Sequence, residues 1–265
     1  METETTIYWY SATGNSLSLA RAIAREIGGA RIEPLARYRA EVARPQTPRV
    51  GIIFPIHAWG PPRTVDEFAA RIDLGAAHYV FAVATCGGTA AGTLRNLRKT
   101  LRARGSDLHA GFIARARGYM QTDGKPNPMI QQVRRLSGRP FGTVEERLPQ
   151  IVDAVLHELP HDPERNALPG AILGNFFHTK AAPAFRTMDQ TYRVASSCKG
   201  CGTCVRVCPR SNVTRQNGVT EFQHDCEFCG TCATWCPEHA IGFSGQPGAA
   251  RGHHEAVSVK DFLLR

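Results

Sequence analysis

Eight of the nine cysteines fall in two matched runs, CKGCGTCVRVCP (198–209) and CEFCGTCATWCP (226–237). Each is spaced C-x2-C-x2-C-x3-C-P. A tight x2-x2 loop presents three sulfurs to one side and aims backbone N–H groups at whatever they hold, which suits a [4Fe–4S] cube. Zinc also uses paired C-x2-C units, but it does not call for a third cysteine at x2 and a fourth before proline, twice over. Disulfides between eight cysteines so tightly spaced would be strained. Two [4Fe–4S] clusters are therefore expected. In runs of this spacing the fourth cysteine ligates the other cluster. On that pattern Cys198, Cys201, Cys204 and Cys236 hold one cluster, and Cys226, Cys229, Cys232 and Cys208 hold the second. Pro209 and Pro237 end each loop and remove a backbone donor at the turn.

A second constellation lies near the N-terminus. SATGNS, from Ser11 through Ala12, Thr13, Gly14 and Asn15 to Ser16, separates a strand-like run from a helix-like run. Small and hydroxyl residues there allow N–H and O–H groups to surround a phosphate at a helix N-terminus. The Lys-Ser/Thr pair of a P-loop is absent, and so is GxGxxG. A hydroxyl-rich loop without its own cation suits the dianionic monophosphate of FMN; an ordinary capping turn is the alternative. PIHAWGPP (55–62) and TCGGTAAG (85–92) follow two further strands and would emerge at the same sheet edge. Trp59 either stacks on a planar ring or covers the sheet edge. Gly87, Gly88 and Gly92 permit close backbone approach. His57 is either a polar contact to the ring or a loop residue. Cys86 reads first as a small buried residue and second as a thiol beside the ring. Arg117, Tyr119 and Met120 are further candidates for the same mouth.

These loops need a frame. TTIYWYS (5–11), ARIEPL (30–35), RVGIIFPI (49–56), YVFAVATCG (79–87) and LHAGFIARAR (108–117) read as strands, several of them apolar enough to be buried on both faces. SLSLARAIAREIGG (16–29) has helical spacing and a terminal Gly pair. Residues 62–72, 90–105 and 143–159 read as helices, with Pro149 marking an early break or a late start in the last. Alternating strands and helices predict a five-stranded, doubly wound parallel α/β sheet in the order 2-1-3-4-5. Residues 118–142 and 160–195 show no clear period and read as loops or connectors. The expected division is a first domain over 1–185, with 160–195 as connector, and a small α+β cluster domain over 190–265.

Charge is uneven. Residues 1–195 hold 25 Lys+Arg against 17 Asp+Glu, or +8, and residues 196–265 hold 7 against 6, or +1. Two oxidised clusters at −2 each would take the second part from +1 to −3, so attraction between the parts is expected. No arginine-rich tract points to nucleic acid, no apolar run approaches the ~20 residues that span a bilayer, and METETTIYWY does not read as a signal peptide. A cytoplasmic location is expected, where thiols stay reduced and bind metal.

YSATGNS with the PIHAWGPP and TCGGTAAG loops resembles the flavodoxin fold. Joined to the paired cysteine runs, it resembles the flavodoxin–ferredoxin fusion electron carriers of bacteria and archaea. The resemblance covers nearly the whole chain. It implies that Ser11, Thr13, Gly14, Asn15 and Ser16 hold the FMN phosphate. It also implies that Pro55, Ile56, His57, Ala58, Trp59 and Gly60, with Thr85, Cys86, Gly87 and Gly88, bracket the ring. Ala12 stands where many flavodoxins have Gly or a hydroxyl residue. The activity implied is low-potential electron transfer between FMN and two [4Fe–4S] clusters, to or from an acidic or low-potential partner oxidoreductase. The rival is a flavin-dependent reductase acting on its own small substrate. A redox-sensing regulator is a third reading, for which no DNA-binding helix pair is evident.

Overall fold

The computed structural model describes residues 4–117, 128–138, 140–243 and 252–263. Five strands, β1 (Thr5–Trp9), β2 (Arg31–Pro34), β3 (Arg49–Pro55), β4 (Tyr79–Cys86) and β5 (Ala110–Arg115), form one parallel sheet in the order β2-β1-β3-β4-β5. This is the flavodoxin-like winding, as the sequence leads one to expect. Successive side chains of a strand feed opposite cores. Val50, Ile52 and Phe54 face a core shared with α2 (Arg63–Ala69) and α3 (Thr93–Arg102). Ile53, Phe81 and Phe112 face one shared with α1 (Asn15–Glu26) and α5 (Val144–Leu156). Phe54, Phe81 and Phe112 are all fully buried, and truncating any one to alanine costs roughly 3–5 kcal/mol. Gly51 is required beside one of them: a Cβ there would meet the Phe81 ring at 2.4 Å.

Two regions differ from the sequence reading. Residues 160–195 contain α6 (Leu168–Ala181) and a 3-10 stretch, Ala182–Thr191. LPGAILGNFFHTKA is apolar almost all round and holds two glycines, so it shows neither a helical period nor a helix-forming composition. Those glycines allow close packing: a Cβ on Gly170 would strike the Leu136 and Ser137 backbone, and one on Gly174 would strike Ala91. Residues 128–136, within the other stretch read as loop, form α4. α5 runs through Pro149; the proline is on the exposed side, where water can satisfy the carbonyl it leaves free.

The second domain repeats itself. Gly202 and Gly230 precede the one-turn helices α7 (Thr203–Arg206) and α8 (Thr231–Thr234) with φ of 72° and 73°, a left-handed turn that the x2 spacing needs. β6 (Tyr192–Val194) pairs with β9 (Ile241–Phe243), and β7 (Val213–Gln216) with β8 (Val219–Phe222). Asn217 and Gly218 make the tight hairpin turn, both with positive φ.

The two domains are tied by charge and by the C-terminal segment. Asp225 pairs with Arg39 and Arg63 of the first domain, both at 2.7 Å, and with Arg210 of its own at 2.9 Å. Arg210 reaches Glu67 at 2.6 Å. Burial works against the Asp225 carboxylate, but Arg210 and Arg63 outweigh it and hold its pKa below the usual range. Residues 252–263 return to the sheet: Phe262 packs edge-on against Trp9, Asp261 pairs with Arg21, and the His254 N–H donates to the Thr13 carbonyl at 2.8 Å.

Candidate flavin pocket and cysteine cages

At the carboxyl edge of the sheet a cavity of about 280 Å³ collects the three loops singled out by sequence. Ser11, Ala12, Thr13, Asn15 and Ser16 line one end, Pro55 to Ala58 another, and Thr85, Cys86 and Gly87 a third. The Ser11 hydroxyl accepts the Gly14 N–H at 3.0 Å, and Gly14 turns the chain with φ of 100° into α1. Ser16 and Thr85 hydroxyls meet at 2.9 Å, tying the first loop to the third. Ala116 and Arg117 complete that side, and the Asn15 side chain donates to the Arg117 carbonyl at 2.7 Å. Tyr119 and Met120 lie outside the described residues.

The second loop is strained in a specific way. His57 and Gly60 exchange two backbone hydrogen bonds of 3.0 Å, and the residues between them, Ala58 and Trp59, have φ of 43° and 68°. Left-handed conformations at two non-glycine residues in succession are costly, and they turn Trp59 out of the cavity. Its indole N–H donates to Thr89 at 2.9 Å, and its ring packs on Phe177 beneath α6. Trp59 is not among the residues that line the cavity; it packs in a small cluster with Ala91 and Val133. Gly60 likewise lies outside the cavity, close under His178, and Gly88 is not among the lining residues. Burial, and then His178, lower the His57 pKa to about 4, so the ring is neutral at pH 7. Burial pushes the Cys86 thiol up to about 11; it is a protonated, small buried residue at the cavity wall. Gly87 borders the cavity, and a Cβ there would enter open space. That unfilled edge fits the approach of a flat ring.

The cavity's fourth wall comes from the connector and the second domain. Phe185, Glu227, Phe228 and Cys229 line it, and the Phe185 and Phe228 rings stack at 5.8 Å. Glu227 is buried; it accepts the Arg63 and Thr64 backbone N–H groups at 2.7 and 3.0 Å, capping α2, while burial raises its pKa. Sequence reading missed this wall. Phe228 sits inside the CEFC loop, a place that draws attention only once the loop is known to face the sheet. Phe185 lies in the aperiodic connector and carries no signal.

Behind that wall the cysteines form two cages in the crossed pattern. Cys208, Cys226, Cys229 and Cys232 line one hollow, and Cys198, Cys201, Cys204 and Cys236 line another. Backbone N–H groups point at the sulfurs, from Asn212 to Cys208, Phe228 to Cys226 and Ala240 to Cys236, at 3.2–3.3 Å. Such bonds are the second shell that iron–sulfur groups use. Among the described residues no three His, Cys, Asp or Glu side chains are set to hold a single metal ion.

Residues 192–212 match a 4Fe–4S binding domain. That span holds the whole first cysteine run. No curated protein matches the chain. Among solved structures, it is similar to a short-chain flavodoxin associated with a bacterial microcompartment (10% identity, 60% of this chain and 99% of that one, TM-score 0.38). It is similar also to Megasphaera elsdenii flavodoxin (14%, 41% and 84%, 0.32). A third likeness is to a flavodoxin variant of Fusobacterium nucleatum bound to flavin mononucleotide (12%, 58% and 91%, 0.33). At these levels the sheet order, not the likenesses, is what makes the fold flavodoxin-like. The chain thus joins a flavodoxin-like sheet to a 4Fe–4S binding segment. Among the described residues no helix is long and apolar enough to cross a membrane.

Proposed function

We propose that the chain is an electron-transfer protein holding one FMN in the sheet-edge cavity and two [4Fe–4S] clusters in the crossed cages. It would pass electrons to or from a separate oxidoreductase. The observation that carries this reading is Cys229, which lines both the cavity and the nearer cage. Glu227 and Cys229 line both spaces, so the wall between them is shared. Bound there, FMN exchanges one or two electrons and each cube exchanges one, so the pair converts a two-electron donor to one-electron acceptors or the reverse.

The chain's own residues supply position and exclusion. Ser11 through Ser16 form the phosphate nest, Gly87 leaves room at the ring edge, and Phe185 with Phe228 keeps water from the shared wall. His57, neutral and partly buried beside Tyr10, offers a polar contact without adding charge. On this reading the order of cofactors is fixed: flavin, then the cage of Cys226, Cys229, Cys232 and Cys208, then the cage that contains exposed Cys198 and Cys201. The exposed end is where a protein partner would meet the chain.

Anaerobic reconstitution followed by an iron, sulfide and flavin count tests the reading. It requires two cubes of iron and sulfide and one FMN per chain. Zinc in place of iron, or failure of the cavity to retain FMN, would sink it. Turnover of a small molecule without a protein partner would mark an enzyme rather than a carrier.

A further inference from the structure

The two cysteine runs provide an internal control for each other. In both, the second cysteine meets the hydroxyl of the threonine two residues on, Cys201 with Thr203 at 3.3 Å and Cys229 with Thr231 at 3.1 Å. In both, the fourth cysteine accepts a backbone N–H from four residues on, at 3.3 Å. Tyr10 breaks this match. It follows β1 directly, just ahead of the phosphate nest, is 2% exposed, and lies edge-on to His57 at 5.9 Å. Its hydroxyl is buried and makes no hydrogen bond of ordinary geometry, a state that costs roughly 1–3 kcal/mol. Tyr10 packs in the same buried cluster as Cys229, which among the described residues is the one cage cysteine in that cluster. Cys201, the equivalent residue of the first run, is exposed instead.

We propose that Tyr10 donates its hydroxyl hydrogen bond to the Cys229 thiolate of the loaded cage, raising the reduction potential of the flavin-side cluster. Reduction adds one electron and one negative charge to the cube and its sulfurs. An O–H dipole aimed at sulfur favours that more charged form, and no proton moves. Hydrogen bonds to sulfur and solvent exposure are the two settings that compete here. Burial disfavours the added charge and would leave the inner cluster harder to reduce than the outer. Tyr10 offsets that penalty and keeps the inner cluster able to accept an electron from the flavin. The residue acts through Cys229; it is a positioning residue. This inference rests on the two-cluster reading above.

The test is an anaerobic redox titration followed by electron paramagnetic resonance, on the reconstituted full chain and on Tyr10→Phe. One of the two cluster midpoints should fall, while the other cluster and the flavin hold theirs. At the wild-type midpoint the reduced-to-oxidised ratio of that cluster should drop about 3- to 10-fold, the weight of one hydrogen bond. Should Tyr10→Phe fold poorly, site-specific 3,5-difluorotyrosine at position 10 keeps the ring and strengthens the donor. It should move the same midpoint upward. Two intact clusters with unmoved midpoints, or with both midpoints moved equally, overturn the role of Tyr10 alone. An iron count short of two cubes in the wild-type chain overturns both this inference and the reading beneath it.

Discussion

The cage of Cys198, Cys201, Cys204 and Cys236 opens to solvent at its first two cysteines, whereas three of the four thiols in the cage of Cys208, Cys226, Cys229 and Cys232 are buried. The same spacing built both, with matched glycine turns, matched threonines and matched backbone donors. What differs is the ground each run lands on. The second run carries Glu227 and Phe228 between its first two cysteines, so a carboxylate caps α2 and a ring lines the sheet-edge cavity. The first carries Lys199 and Gly200 there, and Lys199 turns outward to pair with Glu238 at 2.9 Å. The thiols register the contrast. Burial pushes Cys208 up to about 11 and Cys226 to about 12, while the Thr203 hydroxyl draws Cys201 below its ordinary value. A repeat fixes the shape of a cage; the residues inside the x2 gaps decide whether it faces the sheet or water.

The largest effect should come from Cys208→Ser. Although Cys208 belongs to the first run, it lines the inner cage. The variant should lose about half the iron, and the cluster that remains should be the outer one, stripped quickly by an added chelator. A remaining cluster that resists the chelator would mean that the runs do not cross, and the assignment of inner and outer would reverse.

Next comes the joint that holds the inner cage against the sheet. Asp225→Ala leaves Arg63 and the buried Arg210 without their shared carboxylate. Breaking a buried pair costs roughly 3–5 kcal/mol; with Asp225 22% exposed, a loss of about 2–3 kcal/mol in urea unfolding is expected. The folded Asp225 pKa lies below its ordinary 3.8, so its contribution is complete above that pH and fades as pH falls below it. The wild-type chain should therefore lose stability in that acid range with a steeper slope than the variant. Equal slopes would mean that the pairs do not hold the joint.

Gly87→Ala probes the flavin side of the shared wall. The new methyl enters open space in the empty protein, so unfolding should be unchanged. With the ring in place it becomes overpacking, worth about 1–3 kcal/mol, and FMN affinity should fall roughly tenfold. Gly88→Ala, which also meets nothing but is not among the lining residues, should leave affinity alone. If both or neither weaken binding, the ring does not sit at Gly87.

Much of this was legible in the sequence. Buried strands such as VGIIFPI and YVFAVATC specify a two-faced parallel sheet by composition alone, and cysteine spacing specifies the cages, because both signals are local. The partners of those elements were not legible. Helix α6 hides its period by being apolar on every side; Tyr10 reads as one more core aromatic; Glu227 reads as a solvated charge in a cysteine loop. Each acquires its role from a residue more than a hundred positions away, and a window along the chain cannot register that. Trp59 is the opposite case: it stands in a loop that the sequence singles out, but the left-handed turn at Ala58 and Trp59 sets its ring on Phe177 rather than among the cavity's lining residues.

Trp59 supplies the smallest and most discriminating measurement. Its ring is held by Thr89 and by Phe177 of α6, and it is not among the residues that line the cavity. Trp59→Phe keeps the ring contact and removes one hydrogen bond, worth about 1 kcal/mol. Stability should drop by about that much, and both FMN affinity and the quenching of flavin emission should match the wild type. An indole that stacked on the ring would behave differently: its loss would weaken FMN binding and restore emission. That result would place an aromatic on the far side of the flavin as well as Phe228 on the near side.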